Sequence, residues 1–395
     1  MRLFADTHID FMGLSRVCVT ASALLMLASL IVVVTRGLNL GIEFTGGTEI
    51  QVRYAERADV GAVRAQLAAA GMSSQVVTTI GDPAENEIYI RIGAGPAGQA
   101  QTADPTTAAL LALRGAVEGR ADLNIEDEKR VATLLAGAPG LSAEQAGQIA
   151  ERVLDARRER AIFRSLDELG TIEGMTPEVL AHLKREATVG PLALRSQSYI
   201  GPAVGRELVQ KAVLAILGSL AGMLVYIWIR FQFQWGLAAV VALVHDTVIT
   251  LGFVSLFDME VSLPVVAAFL TLIGYSVNDT VVIFDRIREN LGGKRAEDLR
   301  PLINQSVNQT LSRTVITSGL TWLVVVSLLI FGGPPLRPFS FVLTIGIIVG
   351  SYSTIYVASP ILVLWRSLLE RRRGKDAGTP DGSAARRARK VRTSG

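Results

Sequence analysis

The chain has one cysteine, Cys18, and three histidines, His8, His182 and His245, in 395 residues. An internal disulfide is therefore excluded, and so is a cysteine cluster for zinc or iron–sulfur. The histidines stand far apart, without the spacing of metal ligands, so no metal or cofactor is expected. A strong charge of one sign is also missing. Lys and Arg number 39 against 36 Asp and Glu, a net +3 that implies no general nucleic-acid surface. No Walker loop, nucleophile elbow or metal motif occurs, so a hydrolase is disfavoured and the chain is read as non-enzymatic.

Apolar sequence, by contrast, is abundant and arrives in blocks. Half of the residues are hydrophobic although 19% are charged, and the mean hydropathy is +0.39. The two classes must be segregated along the chain. Runs of about 20 apolar residues cross a hydrocarbon core of about 30 Å as helices. Six such spans are predicted, over residues 14–35, 211–230, 235–257, 261–284, 314–331 and 339–365. The first outruns a signal peptide's apolar region of about 7–15 residues, begins with Asp6 and Asp10, and lacks a small-x-small site at Arg36–Gly37. It is read as an uncleaved anchor.

Orientation follows from Lys and Arg in the short connections. Arg230, the segment from Arg286 to Arg313 with Lys294, Arg295 and Arg300, and the tail from Arg371 onward carry the basic residues. The connections at Asp258–Glu260 and 332–338 do not. With six spans and both termini inside, every basic loop falls on the cytoplasmic side. The predicted division is a cytoplasmic N-terminus and first span (1–35), an outer domain (36–207), a bundle of five further spans (208–366) and a disordered basic tail (367–395) that contacts lipid.

The outer domain begins as α+β. Strands are predicted over 49–54, 75–79, 87–92 and 193–200, and helices over 60–69 and 107–119, with a Gly/Ala/Pro linker at 93–105. Residues 123–189 form a helical insert. The turns LLAGAPG (134–140) and GMTP (174–177) separate short helical stretches in the manner of two helix-hairpin-helix units. Such hairpins hold phosphates in DNA-binding proteins. Here Arg157, Arg158, Arg160 and Arg164 are interleaved with Glu151, Asp155, Glu159, Asp167 and Glu168, so protein contact or structural elaboration is favoured over nucleic acid.

Five segments carry a resemblance. LNLGIEFTGGT (38–48) is Gly-rich but has no Lys or Ser/Thr placed as in a phosphate loop. YIGPAVGREL (199–208) leads into the second span, and TLIGYSVNDTVVIFDRIREN (271–290), VNQTLSRTVITS (307–318) and GIIVGSYSTIYVASP (346–360) follow in order. Together they resemble the SecF family of protein-export membrane subunits, within the proton-driven RND-like proteins. That resemblance implies an all-helical membrane half of six spans with an α+β periplasmic domain, located in the bacterial inner membrane. It implies a separate SecD partner, action with the SecYEG translocon on a translocating polypeptide, and drive by the proton motive force. The glycines and proline of these motifs, Gly41, Gly46, Gly47, Gly201, Pro202, Gly205 and Gly274, are then structural. The insert departs from the family pattern. The alternative reading is half of an RND-type small-molecule exporter, which leaves the first two motifs unexplained.

Ionisable residues in a span are costly and usually face the bundle interior or water. Asp246, Asp279 and Arg313 stand out. For Asp279 the choice lies between a structural ion pair or helix-bundle hydrogen bond and proton uptake; the resemblance favours proton coupling. Arg313, placed at the start of the fifth span, is either a snorkelling anchor or, by resemblance, the functional arginine. Asn278 is a helix-contact candidate, and in the family the SecD helix equivalent to its own carries a carboxylate. Asp246 is a packing or relay residue. Gly218 with Gly222, and Gly346 with Gly350, have the spacing of close helix packing.

Overall fold

The computed structural model describes residues 7–72, 74–93, 105–114, 120–231, 233–292 and 299–367. The basic tail after 367, linker residues 94–104, the end of the helix predicted over 107–119, and Lys294 and Arg295 lie outside the described residues. The chain divides into two units: Leu40–Lys211, and Met1–Asn39 with Ala212–Gly395.

In chain order the elements are α1 (Ser15–Arg36), a single helical turn α2 (Ile42–Thr45), β1 (Gly47–Tyr54), α3 (Val60–Ala69), β2 (Ser74–Thr79), β3 (Glu87–Gly93), α4 (Pro105–Arg114) and β4 (Ala121–Asp122). They continue with α5 (Glu128–Ala136), α6 (Ala143–Arg160), α7 (Pro177–Glu186), β5 (Ala187–Thr188), β6 (Leu192–Ile200), α8 (Pro202–Arg230), α9 (Phe233–Leu256), α10 (Leu263–Leu291), α11 (Leu299–Phe331) and α12 (Gly333–Ser353). A π-helical segment, Thr354–Ala358, prolongs α12 into an apolar helix that ends at Ser367.

The Leu40–Lys211 unit is built on an antiparallel sheet in the order β2-β3-β1-β6. Alternate residues of the strands, Ile50, Val52, Ile88, Ile90 and Ile92, meet Val63 and Leu67 of α3 and Leu110 and Leu113 of α4 in one core. The insert has a core of its own, with Leu135, Val153, Phe163, Leu169 and Leu183 fully buried. Its two ends are closed by a short parallel pair, β4 with β5. Asp122 Oδ1 accepts the backbone N–H of Gly190 at 2.9 Å and of Asn124 at 3.0 Å. The Asn124 amide donates to the Phe163 and Gly190 carbonyls. Two turns at Gly140 (φ 82°) and Gly174 (φ 94°) reverse the chain between the helical arms, as the hairpin pattern predicts. The first arm of the second hairpin is a 3₁₀ segment, Leu166–Thr171.

LNLGIEFTGGT folds differently from a plain strand lead-in. It makes the turn α2 first, then Gly46 at φ 72° and Gly47 at φ 141° launch β1. A Cβ on Gly46 would lie 2.9 Å from Pro202 Cα, and one on Gly205 would lie 2.9 Å from the Phe44 carbonyl oxygen. The two glycine motifs thus interlock where β1 pairs with β6, Gly47 opposite Ile200. Gly41 precedes α2 in extended backbone, while a Cβ on Gly201 would meet nothing within 4 Å among the described residues.

Six helices are long and apolar enough to cross a membrane, as predicted: α1, α8, α9, α10, α11 and Pro335–Ser367. Four are longer than predicted by five residues or more, the last of them spanning Pro335–Ser367. α8 begins at Pro202, α10 runs to Leu291 and α11 starts at Leu299. Hydropathy reports only the turns in hydrocarbon, whereas the helices continue as polar turns beyond it. The N-terminal segment fixes the extension of α11: Asn304 Oδ1 accepts from Met12 N–H at 2.9 Å and Asn308 Oδ1 from Ile9 N–H at 3.0 Å. Close crossings use small residues. A Cβ on Gly252 of α9 would fall 2.3 Å from Ser29 Cβ of α1, and one on Gly346 of α12 would fall 2.5 Å from Leu272 of α10. Gly350 faces Ser276 one turn further on, whereas a Cβ on Gly218, Gly222 or Gly274 would meet nothing within 4 Å among the described residues.

Candidate functional site

A polar seam runs through the apolar bundle. On α9, Asp246 is 1% exposed. Its Oδ2 accepts from Ser276 Oγ of α10 at 2.7 Å and from Ser353 Oγ of α12 at 2.9 Å. Its Oδ1 lies 3.0 Å from Nδ1 of the neighbouring His245. The absence of side chain at Gly350 lets α12 approach: a Cβ there would lie 3.2 Å from Ser276 and 3.5 Å from Asp246 Oδ2. One turn along α10, Thr280 shares a hydrogen bond with Thr354 at 3.1 Å. Thr354 opens the π-helical segment, a distortion that recurs at functional sites.

Asp279 sits on the same face of α10, three residues after Ser276, and is 3% exposed. Ser318 Oγ of α11 donates to its Oδ2 at 2.8 Å. The packing of α10 against α9, α12 and α11 therefore gives each buried carboxylate a hydroxyl ligand from a neighbouring helix, two on Asp246 and one on Asp279. A hydroxyl can donate or accept, so such a ligand tolerates either protonation state of its carboxyl.

Arg313 is not at a helix end. It lies in the interior of α11, which begins at Leu299, so its placement at a helix end is corrected. Its side chain is exposed, and it makes no hydrogen bond or ion pair among the described residues. Its charge is near enough to act on the Asp279 carboxyl. Asn278 is likewise exposed and points away from the seam. Exposed and half-exposed positions on α10 recur as Pro264, Thr271, Asn278 and Asp285, alternating with Ala267 and Gly274, a seven-residue stripe down one face. Asp285 pairs with Arg230 at 3.0 Å at the ends of α10 and α8.

The serine ligands were not singled out from sequence. Serine is common in helices, and only the crossing of α10 with α11 and α12 turns these three toward carboxylates.

The pattern of motifs and this architecture have counterparts. Residues 181–368 match the model of the protein export membrane protein SecD/SecF C-terminal family, and residues 31–56 match the SecD/SecF GG motif. The chain is 41% identical over 384 residues to the protein translocase subunit SecF of Koribacter versatilis, covering 93% of this chain and 94% of that one. The chain belongs to the SecF family. The SecF of Pseudomonas aeruginosa is 34% identical over 361 residues, with 91% and 92% of the two chains covered. SecDF from Thermus thermophilus, a translocon-associated membrane protein, superposes with a TM-score of 0.61 at 30% identity. That match covers 92% of this chain and 39% of SecDF, so this SecF-family chain spans about two fifths of the fused protein. Near-complete coverage of SecF translocase subunits leaves the exporter-half alternative without support.

Proposed function

We propose that this SecF-family subunit works without catalysis or cofactor, as the SecF half of a proton-coupled pair with SecD that promotes polypeptide export through SecYEG. The observation that carries the reading is Asp279: a buried carboxyl with a single hydroxyl ligand, beside an arginine that has no ion-pair partner of its own among the described residues. Movement between the hydroxyl-ligated state and an arginine-paired state changes the electrostatic surroundings of the carboxyl, and hence its hold on a proton. Asp279 and Arg313 are the coupling pair, Asn278 lies at the partner helix, and Asp246 is the relay behind them.

The partner half is supported by cost. Asn278 and Arg313 lie exposed within spanning helices, where an uncovered polar or charged group is expensive. A facing half that covers the stripe on α10 removes that expense. The fused SecDF neighbour, of which this chain matches about two fifths, supports SecD as that half. The basic connections support an inner-membrane protein with both termini cytoplasmic and residues 36–207 periplasmic, where the domain meets emerging polypeptide.

The test replaces Asp279 with Asn in cells lacking the native subunit and measures export of a secreted precursor with and without a proton gradient. Gradient-stimulated export falls at least about tenfold on this reading. Full, gradient-dependent rescue by the variant sinks it.

A further inference from the structure

Between the first half of α1, α9 and the last helix lies a groove of about 980 Å³. Arg16, Val19, Ala23 and Met26 of α1, at three- and four-residue spacing, form one wall. Val241 of α9 and Leu364 of the last helix contribute to the others. The hydroxyls along these walls are bonded within the protein, Thr20 to the Arg16 carbonyl, Ser22 to Tyr352 and Ser367 to the Leu364 carbonyl. What the walls leave open is mostly hydrocarbon.

The groove has a charged mouth and a closed inner end. Met12 N–H donates to Asn304 Oδ1 at 2.9 Å. Arg16 lies one turn beyond Met12 and Arg300 one turn before Asn304, so that bond brings both arginines to the mouth. Both are exposed, and the Arg16 guanidinium has no hydrogen bond or ion pair among the described residues. No Asp or Glu lines the groove among the described residues. Asp10, the acidic residue nearest along the chain, is bonded to Asn304 and to the Gly13 N–H. At the other end Met26 is the last α1 residue on the wall. One turn further Ser29 packs so close to α9 that a Cβ on Gly252 would fall 2.3 Å from Ser29 Cβ. From Arg16 to Met26 α1 rises about 15 Å, half of a hydrocarbon core of about 30 Å. The groove is one leaflet deep.

We infer that the groove binds an anionic phospholipid, with one acyl chain against Val19, Ala23 and Met26 and the phosphate held by Arg16 and Arg300. Each part of the ligand meets its own feature. A guanidinium presents a fork of N–H donors that matches phosphate oxygens, and basic pockets between spanning helices hold anionic head groups. A head group with its own ammonium, as in phosphatidylcholine, finds arginines at the mouth and no carboxylate on the wall. Phosphatidylglycerol carries no such cation. An acyl chain ends near the bilayer midplane, where the groove also ends. A spanning helix of the partner half does not fit, because it needs the full core of about 30 Å and the Ser29–Gly252 contact blocks the path halfway. The polar stripe that such a partner covers lies on α10, which contributes no residue to the groove. The site does not depend on the proton-coupling reading.

The test uses the complete chain with its partner half in phosphatidylcholine vesicles. These are doped with a phosphatidylglycerol or a phosphatidylcholine probe that carries a diazirine in one acyl chain. After irradiation, labelled residues are located by mass spectrometry. Val19, Ala23 and Met26 on the groove wall are compared with Leu24, Leu27 and Ile31, exposed on another face of α1. On the wall, labelling by the phosphatidylglycerol probe exceeds that by the phosphatidylcholine probe at least about tenfold. On the other face the two probes label alike. Arg16→Gln with Arg300→Gln abolishes the excess while the partner half still co-purifies. The same ratio of the two probes on both faces overturns the site, and so does an excess that survives in the double variant. A groove wall that neither probe labels overturns it as well and leaves protein as the occupant. Should the double variant not accumulate, the comparison of probes on the wild-type chain decides.

Discussion

Asp122 in the Leu40–Lys211 unit and the pair Asp246 and Asp279 in the membrane bundle are buried alike, at 0%, 1% and 3% exposure, yet they are held by different groups. Asp122 accepts two backbone N–H groups fixed by the chain itself. The membrane carboxyls accept from Ser276, Ser353 and Ser318, whose hydroxyls rotate about one bond. A backbone amide only donates, so Asp122 has a ligand set suited to one state. A hydroxyl serves either a carboxylate or a carboxylic acid. Burial alone therefore does not mark a working carboxyl; the freedom of its ligands does.

The comparison breaks first at Asp279. Asp279→Asn is expected to abolish most gradient-stimulated export, a fall of at least about tenfold, while Asp122→Asn leaves that stimulation in place. Equal effects of the two changes in the same export assay would remove the distinction. Next comes the ligand set. Ser276→Ala with Ser353→Ala strips both hydroxyls from Asp246 Oδ2, and hydrogen bonds to charged groups are worth about 1.5–3 kcal/mol each. Gradient-stimulated export is expected to fall several-fold with the subunit still assembled, read by co-purification of the partner half. Undiminished stimulation would mean that the hydroxyls merely fill space.

Much of this was legible beforehand, and the failures have a common cause. Apolar runs located all six spans because hydropathy records the turns in hydrocarbon. It was blind to the polar turns of α8, α10 and α11, and so placed Arg313 at a helix start rather than in the interior of α11. The spacing of Gly346 and Gly350 did signal a close crossing, and that crossing sets Ser276 and Ser353 on Asp246. At Gly218 and Gly222 the same spacing leaves an added Cβ with no contact among the described residues, since a small stripe says that something packs there and not what. The serine ligands depend on how helices cross, which residue identity does not carry. In the insert, the glycine turns were readable, but Asp122 was not. Its partners, Asn124 and Gly190, lie 2 and 68 residues away.

That anchor gives the next test. A Cβ on Gly190 would fall 2.0 Å from Asp122 Oδ2, whose carboxyl is pinned through its other oxygen. Gly190→Ala is expected to loosen the insert by about 1–3 kcal/mol, the range of overpacking in a filled core. Hydrogen exchange of residues 123–189 in the full chain reads this directly. Unchanged protection would show that β4 and β5 do not close the block.

The smallest effect is a dependence on pH at Asp122. Burial raises its proton affinity above that of an ordinary aspartate, against the pull of the Gly190 and Asn124 amides and of Arg114 and Arg157. For an acid whose folded value lies above its unfolded one, the folded state binds more protons. The stabilisation is then complete below the unfolded value and fades as pH rises through the folded value. Asp122→Asn keeps an oxygen for both amides and does not ionise, so it lacks this loss. Exchange protection of the insert, corrected for intrinsic rates, should therefore shift in favour of the variant as pH climbs from about 4 toward 7, with the difference levelling off once Asp122 is fully ionised. A difference that stays flat, or turns toward the wild type, would mean that the two amides outweigh burial. Asp122 would then be an ordinary structural carboxylate, and the contrast with the hydroxyl-held pair in the membrane would widen.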